Sequence, residues 1–274
     1  IITIAIFIIV MFGAFGNISF IFTIIRSKRF RSARAYLLTI LCLMHCIILV
    51  HNIINVFRMI NGLQLTKQEC IFALTIPPTM YAVSHQAFLY LILGIDVLIS
   101  LIYPTRYSQI RSIPYVICLQ LPCIGYASSF IIASAYYDDN RRIVACNPPD
   151  AFPTAVNNIR TSCGLGIGCI VLILYICIIA LLIRRSSSHV IKKPQLRAAK
   201  SMVALTATYL LSWFFTSLIA FMSTIVPPDT LFIRLNNQYA VIFALISYSS
   251  TYYSHFLISR EFRKAFLENF CCRP

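Results

Sequence analysis

Apolar residues run through this chain in continuous blocks rather than in alternation. Blocks of about 20 residues can cross a hydrocarbon core as helices. Seven are readable: Ile1–Ile25, Ala35–Phe57, Cys70–Ile102, Ile113–Tyr137, Thr161–Ile183, Ser201–Val226 and Asn237–Ile258. Barrel strands alternate their faces over about 10 residues, so the pattern predicts helices. The pairs Pro148–Pro149 and Pro227–Pro228 fall between blocks, where proline punctuates. Pro77–Pro78 falls inside the third block and predicts a kink or local unwinding near its outer end. No internal repeat is visible, which gives little support to a transporter built from two related halves. No charged n-region or initiator methionine opens the chain, so a cleavable signal peptide is not expected. Residues 1–258 read as the membrane domain and 259–274 as a tail.

Composition sharpens this. Of 274 residues, 59% are hydrophobic and 11% charged, against about 45–50% and about 25% in soluble proteins. Soluble, collagen-like, coiled-coil and disordered classes are excluded. The formal charge is +15, which on a soluble chain would point to nucleic acid. Its placement decides otherwise. Of the 23 Lys and Arg, 17 lie in the odd connections and the tail and 6 in the even connections, with none inside a block. The positive-inside rule then predicts an outer N-terminus and an inner C-terminus. Such one-sided charge suits anionic inner-leaflet lipid and argues against a nucleic-acid partner.

Most of the 11 cysteines (Cys42, Cys46, Cys118, Cys123, Cys163, Cys169 and Cys177 among them) lie in apolar blocks and read as small packing residues. Cys70 and Cys146 differ, because both would face an outer, oxidising compartment. A bridge between them would be worth about 4 kcal/mol in the chain-entropy model; the plainer reading is two free thiols.

Seven spans, an outer N-terminus and a cysteine at the top of span three opposite a second-outer-loop cysteine resemble the rhodopsin-like G-protein-coupled receptors. Local motifs agree. Span one carries Gly16-Asn17, span three ends in Asp96 with Pro104 and Tyr107 eight and eleven residues on, and span six carries Trp213. Ser259 to Phe266 is similar to the family's eighth helix. Gly94-Ile95-Asp96, Tyr103-Pro104-Thr105-Arg106-Tyr107, Cys146-Asn147-Pro148-Pro149 and Gln86 look like the nematode serpentine chemoreceptors, class SX in particular.

The resemblance implies an all-α, seven-transmembrane helix bundle with a short amphipathic eighth helix. It implies a plasma-membrane chemosensory receptor, not an enzyme and without a cofactor. Its partners would be a small-molecule ligand, a heterotrimeric G protein and membrane lipid. Asp96, Trp213, Asn17 and Tyr107 would be switch residues, and Cys70–Cys146 the structural bridge.

Departures are as informative. The motif arginine is Val97 and the tyrosine after it Leu98, which puts ordinary coupling, or ordinary restraint of the resting state, in question. The family's Asn-Pro-x-x-Tyr falls on Thr251 to His255, without its proline or its tyrosine. The acidic residue of mid span two is His45, which disfavours a sodium pocket. The proline two residues after the tryptophan is Phe215.

Counting from these anchors places Thr79, Met80, Val83, Ser84 and His85 on span three at the expected ligand pocket. Thr216 and Ser217 follow on span six, and Val241, Ala244 and Leu245 on span seven. Thr79 stands where amine receptors carry an aspartate, so an amine is disfavoured. The lining is apolar with scattered hydroxyls and suits a neutral small molecule; ordinary helix packing would use the same residue types. His45, His51 and His85 read first as helix–helix hydrogen-bonding groups, with His85 the best ligand candidate of the three. No zinc spacing and no glycine-rich phosphate loop occur. Asp96 has two bland readings, a solvated helix-end carboxylate or a partner for Arg106, beside the switch reading.

Phe262, Phe266 and Phe270 repeat every four residues among charged ones, as in a helix lying on the inner membrane surface. Cys271 and Cys272 follow where palmitoylation would suit; unmodified thiols are the alternative. The sequon Asn17-Ile18-Ser19 lies within span one and is rejected as a glycan site. Rival readings are a peptide or hormone receptor of the same fold, a ligand-gated channel or transporter, and a receptor-like protein without G-protein coupling.

Overall fold

A computed structural model of the chain describes residues 2–61, 65–136, 142–143, 151–186, 199–212, 216 and 231–270. The elements are α1 (Ile2–Arg26), a 3-10 turn (Lys28–Phe30), α2 (Ala33–Ile60), β1 (Leu65–Thr66), α3 (Lys67–Phe72), α4 (Ile76–Ile102), α5 (Pro104–Gln109) and α6 (Ser112–Tyr136). Then follow β2 (Arg142–Ile143), α7 (Thr154–Ser186), a helix α8 over residues 199–212, α9 (Leu231–Ile258) and α10 (Arg260–Phe270). Among the described residues, six helices are long and apolar enough to cross a membrane. The seventh expected span, Ser201–Val226, is described only at 199–212 and 216. Large apolar side chains stand exposed along these helices, for example Leu165, Ile170, Leu172, Ile173 and Ile176 on α7. In water that surface would drive association; in lipid it is the solvated face.

The interruption expected in the third apolar block is present, and one other expectation needs correction. The third apolar block is not one helix: α3 ends at Phe72, and α4 begins at Ile76 with prolines in its first turn. Proline lacks the N–H that a continuing helix needs, but a first turn has no use for it. The break therefore falls just before the proline pair. α3 is closed at its start by Thr66 and Glu69, each side chain bonded to the other's backbone N–H, at 3.2 and 2.8 Å. Nor are the spans free of basic residues. Arg34 lies in the first turn of α2 and Arg160 in α7. Long cationic side chains near helix ends reach outward while their stems stay in apolar surroundings.

The chain divides into two compact units, 31–171 and 1–30 with 172–274. In the first, α4 packs against both α2 and α6. A two-residue antiparallel ladder pairs Leu65 with Ile143 and Thr66 with Arg142. Next to it, Cys70, Ile76, Met80, Phe130, Phe152 and Val156 form a buried cluster.

In the second unit α1 packs along α9. Asn17 is fully buried, and its amide donates to the carbonyls of Gly13 (3.0 Å) and Tyr248 (2.9 Å). Ser249 and Tyr253 of α9 donate to Ile9 and Phe12 carbonyls of α1 at 3.2 and 3.0 Å. Close approach depends on Gly16, where an added Cβ would meet Tyr252 Cβ at 3.1 Å and Tyr253 Cε2 at 3.2 Å. The first of these atoms is tied to backbone and cannot swing away. Gly16→Ala is expected to destabilise by about 1–3 kcal/mol, the cost of overpacking. Gly125→Ala, with nothing within 4 Å of the new Cβ, is the control. Equal melting temperatures for the two variants in detergent would disprove the packing argument.

α10 turns back onto α1. Ser259 Oγ accepts from the Phe262 N–H (3.2 Å) and starts the helix. Phe262 stacks on Phe20 with ring centroids 5.0 Å apart, and Arg29 meets Glu268 at 3.3 Å. Leu267 and Phe270 of α10 remain exposed.

Candidate functional site

In one of the two units, the helix ends that carry Arg31, Arg34, Arg106 and Arg111 are here called the basic end. There, in the unit formed by residues 31–171, the α4 carboxylate Asp96 is fully buried. Arg34 Nε of α2 donates to its Oδ2 at 2.8 Å. Arg34 Nη2 donates to Ser100 Oγ at 2.6 Å, and Ser100 Oγ donates to the Val97 carbonyl at 2.8 Å. The Tyr107 hydroxyl of α5 donates to Asp96 Oδ1 at 2.8 Å. The guanidinium also lies over the Tyr107 ring, 5.9 Å from its centroid, and Tyr115 of α6 packs edge-on against Tyr107. One carboxylate thus ties α2, α4 and α5 together.

This overturns both bland readings of Asp96. It is not solvated, and its cationic partner is Arg34 rather than Arg106, which is exposed on α5. Burial pushes the Tyr107 hydroxyl well above the ordinary tyrosine range; Asp96 adds to this and Arg34 opposes it. The phenol therefore stays protonated and remains a donor at any physiological pH. Val97 has no exposed surface, so no side chain on α4 next to Asp96 can swap partners with it. Leaving one member of a buried pair uncompensated costs about 3–5 kcal/mol.

Arg34 and Ser100 are the members that sequence reading missed. Arg34 stands one residue before the apolar block Ala35–Phe57, so the pattern places it in a connection. A signal existed: it directly precedes an apolar block on the same membrane side as the end of the block that holds Asp96, and a lone buried carboxylate needs a cation.

The expected ligand residues are placed as follows. Thr79 is buried, and its hydroxyl is used within α4, donating to the Thr75 carbonyl at 2.6 Å. Met80 packs in the Cys70 cluster. Val83 is half-buried. Ser84 and His85 are buried; Ser84 Oγ and His85 Nδ1 meet no hydrogen-bond partner among the described residues. His85 stacks on Tyr81 (5.3 Å) and lies beside Gln120 of α6. Thr216 Oγ1 donates to the Ser212 carbonyl at 2.9 Å. Trp213, Ser217, Cys146, Cys271 and Cys272 lie outside the described residues.

A cavity of about 290 Å³ opens away from the basic end between α2 and the start of α4, lined by Cys46, His51, Thr75 and Pro78 among others. None of the expected ligand residues among those described lines it.

Cys70 is fully buried and disulfide-bonded, whereas the seven other described cysteines are free. It sits in α3, not at the head of α4.

A family model for the serpentine type seven-transmembrane G-protein-coupled chemoreceptor Srsx matches residues 10–270. The chain belongs to that family. It is a multi-pass membrane protein of a receptor family, not an enzyme family, with the seven-transmembrane fold that the apolar blocks predict. No curated protein matches the chain. Membership implies a ligand and G-protein coupling in general terms. In this receptor the arginine that meets the α4 aspartate comes from α2.

Proposed function

We propose that this receptor sits in the plasma membrane with its N-terminus outside, binds a small neutral molecule there and signals to a heterotrimeric G protein. The observation that carries the reading is the chemoreceptor family match over residues 10–270. Residue chemistry supports the ligand class. Thr79 stands at the amine-binding position without charge and with its hydroxyl already engaged. Ser84 and His85 retain unsatisfied polar atoms in an apolar setting, which suits one or two hydrogen bonds to an otherwise apolar ligand. The one-sided charge supports the orientation. The exposed Leu267 and Phe270 of α10 support membrane contact there, with Cys271 and Cys272 as palmitoylation sites.

In this reading Asn17 and Trp213 are switch positions. Asp96 and Tyr107 go with them by resemblance, but their geometry supports a holding role. Ligands couple to conformational equilibria by about 1–3 kcal/mol, less than the roughly 3–5 kcal/mol that stranding one member of a buried pair costs.

A G-protein dissociation assay in cells, run against a panel of small neutral and volatile compounds, tests the function. Once an agonist is found, Ser84→Ala or Thr216→Ala is expected to raise its half-maximal concentration about 5- to 10-fold, the loss of one hydrogen bond. A bulkier residue at Met80 should act in the same direction. Unchanged potency in all three variants would place the pocket elsewhere. A ligand-evoked current with no G-protein requirement would replace the reading by a channel.

A further inference from the structure

We propose that Arg34 takes the place of the arginine missing beside Asp96 and converts a releasable lock into a standing clamp, one that holds α5 in position rather than opening on activation. The clamp itself stands on geometry. That α5 is then offered to the G protein rests on the function proposed above.

Three observations carry it. First, the cation belongs to a different helix from the carboxylate. Val97, next to Asp96, is apolar and wholly buried, so α4 holds no arginine that could leave Asp96 for a partner. Second, Arg34 is doubly engaged, at 2.8 Å with Asp96 and at 2.6 Å with Ser100. Withdrawing it would strip two buried polar groups at once, which takes more free energy than a ligand's preference between states ordinarily supplies. Third, α5 cannot stand alone. It has six residues and no side-chain cap at its start, and so short a helix is not stable in isolation. Only Pro104 and Tyr107 within it are partly buried, and the Tyr107–Asp96 bond at 2.8 Å is its polar anchor. Thr105, Arg106, Ser108 and Gln109 are left exposed as a polar, basic face.

The consequence runs against the usual expectation for an aspartate in this position. If Asp96 restrained a mobile arginine, neutralising it would raise basal signalling. If it anchors α5, neutralising it frees α5 and signalling does not rise.

The test is hydrogen exchange on the purified full-length receptor in lipid nanodiscs, paired with basal G-protein activation in cells normalised to surface amount. Tyr107→Phe keeps the Arg34–Asp96 pair and so folds; amides of residues 105–109 are expected to exchange about tenfold faster, the loss of a hydrogen bond to a charged group. Arg34→Gln should give at least the same acceleration, with α6 amides unchanged in Tyr107→Phe. Asp96→Asn should show basal activity no higher than the parent. Parental exchange at 105–109 in Tyr107→Phe overturns the clamp, as does a severalfold rise in basal activity for Asp96→Asn. Faster exchange with no G protein responding to any variant upholds the clamp and overturns the G-protein reading instead.

Discussion

Replacing Arg34 with alanine is expected to lower the stability of the receptor by about 3–5 kcal/mol, the penalty for stranding one charge of a buried pair. Asp96 is 0% exposed on its side chain and Arg34 only 14%, so water cannot take over the lost contact as it does at surface pairs. Ser100 loses its arginine partner as well. The melting temperature in detergent, followed with a thiol-reactive dye on the buried free cysteines Cys42 and Cys123, should fall by about 10 °C, taking roughly 2–4 °C per kcal/mol for a chain of this size. Arg34→Lys should recover only part of this, since an ammonium cannot reproduce the forked contact with Asp96 and Ser100. The double replacement Arg34→Met with Asp96→Leu should recover most of it, because the burial cost leaves with the charges. A shift of less than about 2 °C in Arg34→Ala would mean that the pair is solvated in the working protein.

Much of this architecture is legible in the chain, and the exceptions share a physical cause. Apolar blocks locate the spans because a bilayer core tolerates little else. Their ends are less legible, because basic residues such as Arg34 and Arg160 belong to helices while reaching for the interface. The break before Ile76 is half legible: the proline pair announces a disturbance, but only the three-residue gap from Ala73 to Thr75 fixes its place. At the basic end, the eleven-residue spacing of Asp96 and Tyr107 is visible, whereas the bond between them depends on α5 folding back. The Arg34 contact spans 62 positions and depends on which helices are neighbours and in what register. No local pattern carries that. What the chain does state is a need: one buried carboxylate, no arginine beside it, and a requirement for a cation from elsewhere.

Loss of the bridge at Cys70 is the other large effect expected. Cys70→Ser and Cys146→Ser should each lower delivery of the receptor to the cell surface severalfold, read by flow cytometry of an epitope-tagged chain. Pairing of these two cysteines is our proposal, and three facts support it. Cys70 is disulfide-bonded while the other described cysteines are free. The ladder joins Thr66 to Arg142, four residues before each cysteine, and so brings the two stretches side by side. Ala151, Phe152 and Val156, just beyond Cys146, pack in the same buried cluster as Cys70. Closing a loop of this length constrains the unfolded chain by about 4 kcal/mol in the entropic model, a large share of the 5–15 kcal/mol that holds most domains together. Serine adds a buried hydroxyl in an apolar cluster, so Cys70→Ala is the cleaner variant for the same prediction. Because both changes remove one bond, the double variant should be no worse than either single one. Additive losses would show two separate packing defects, and normal surface levels for Cys146→Ser alone would assign Cys70 a different partner.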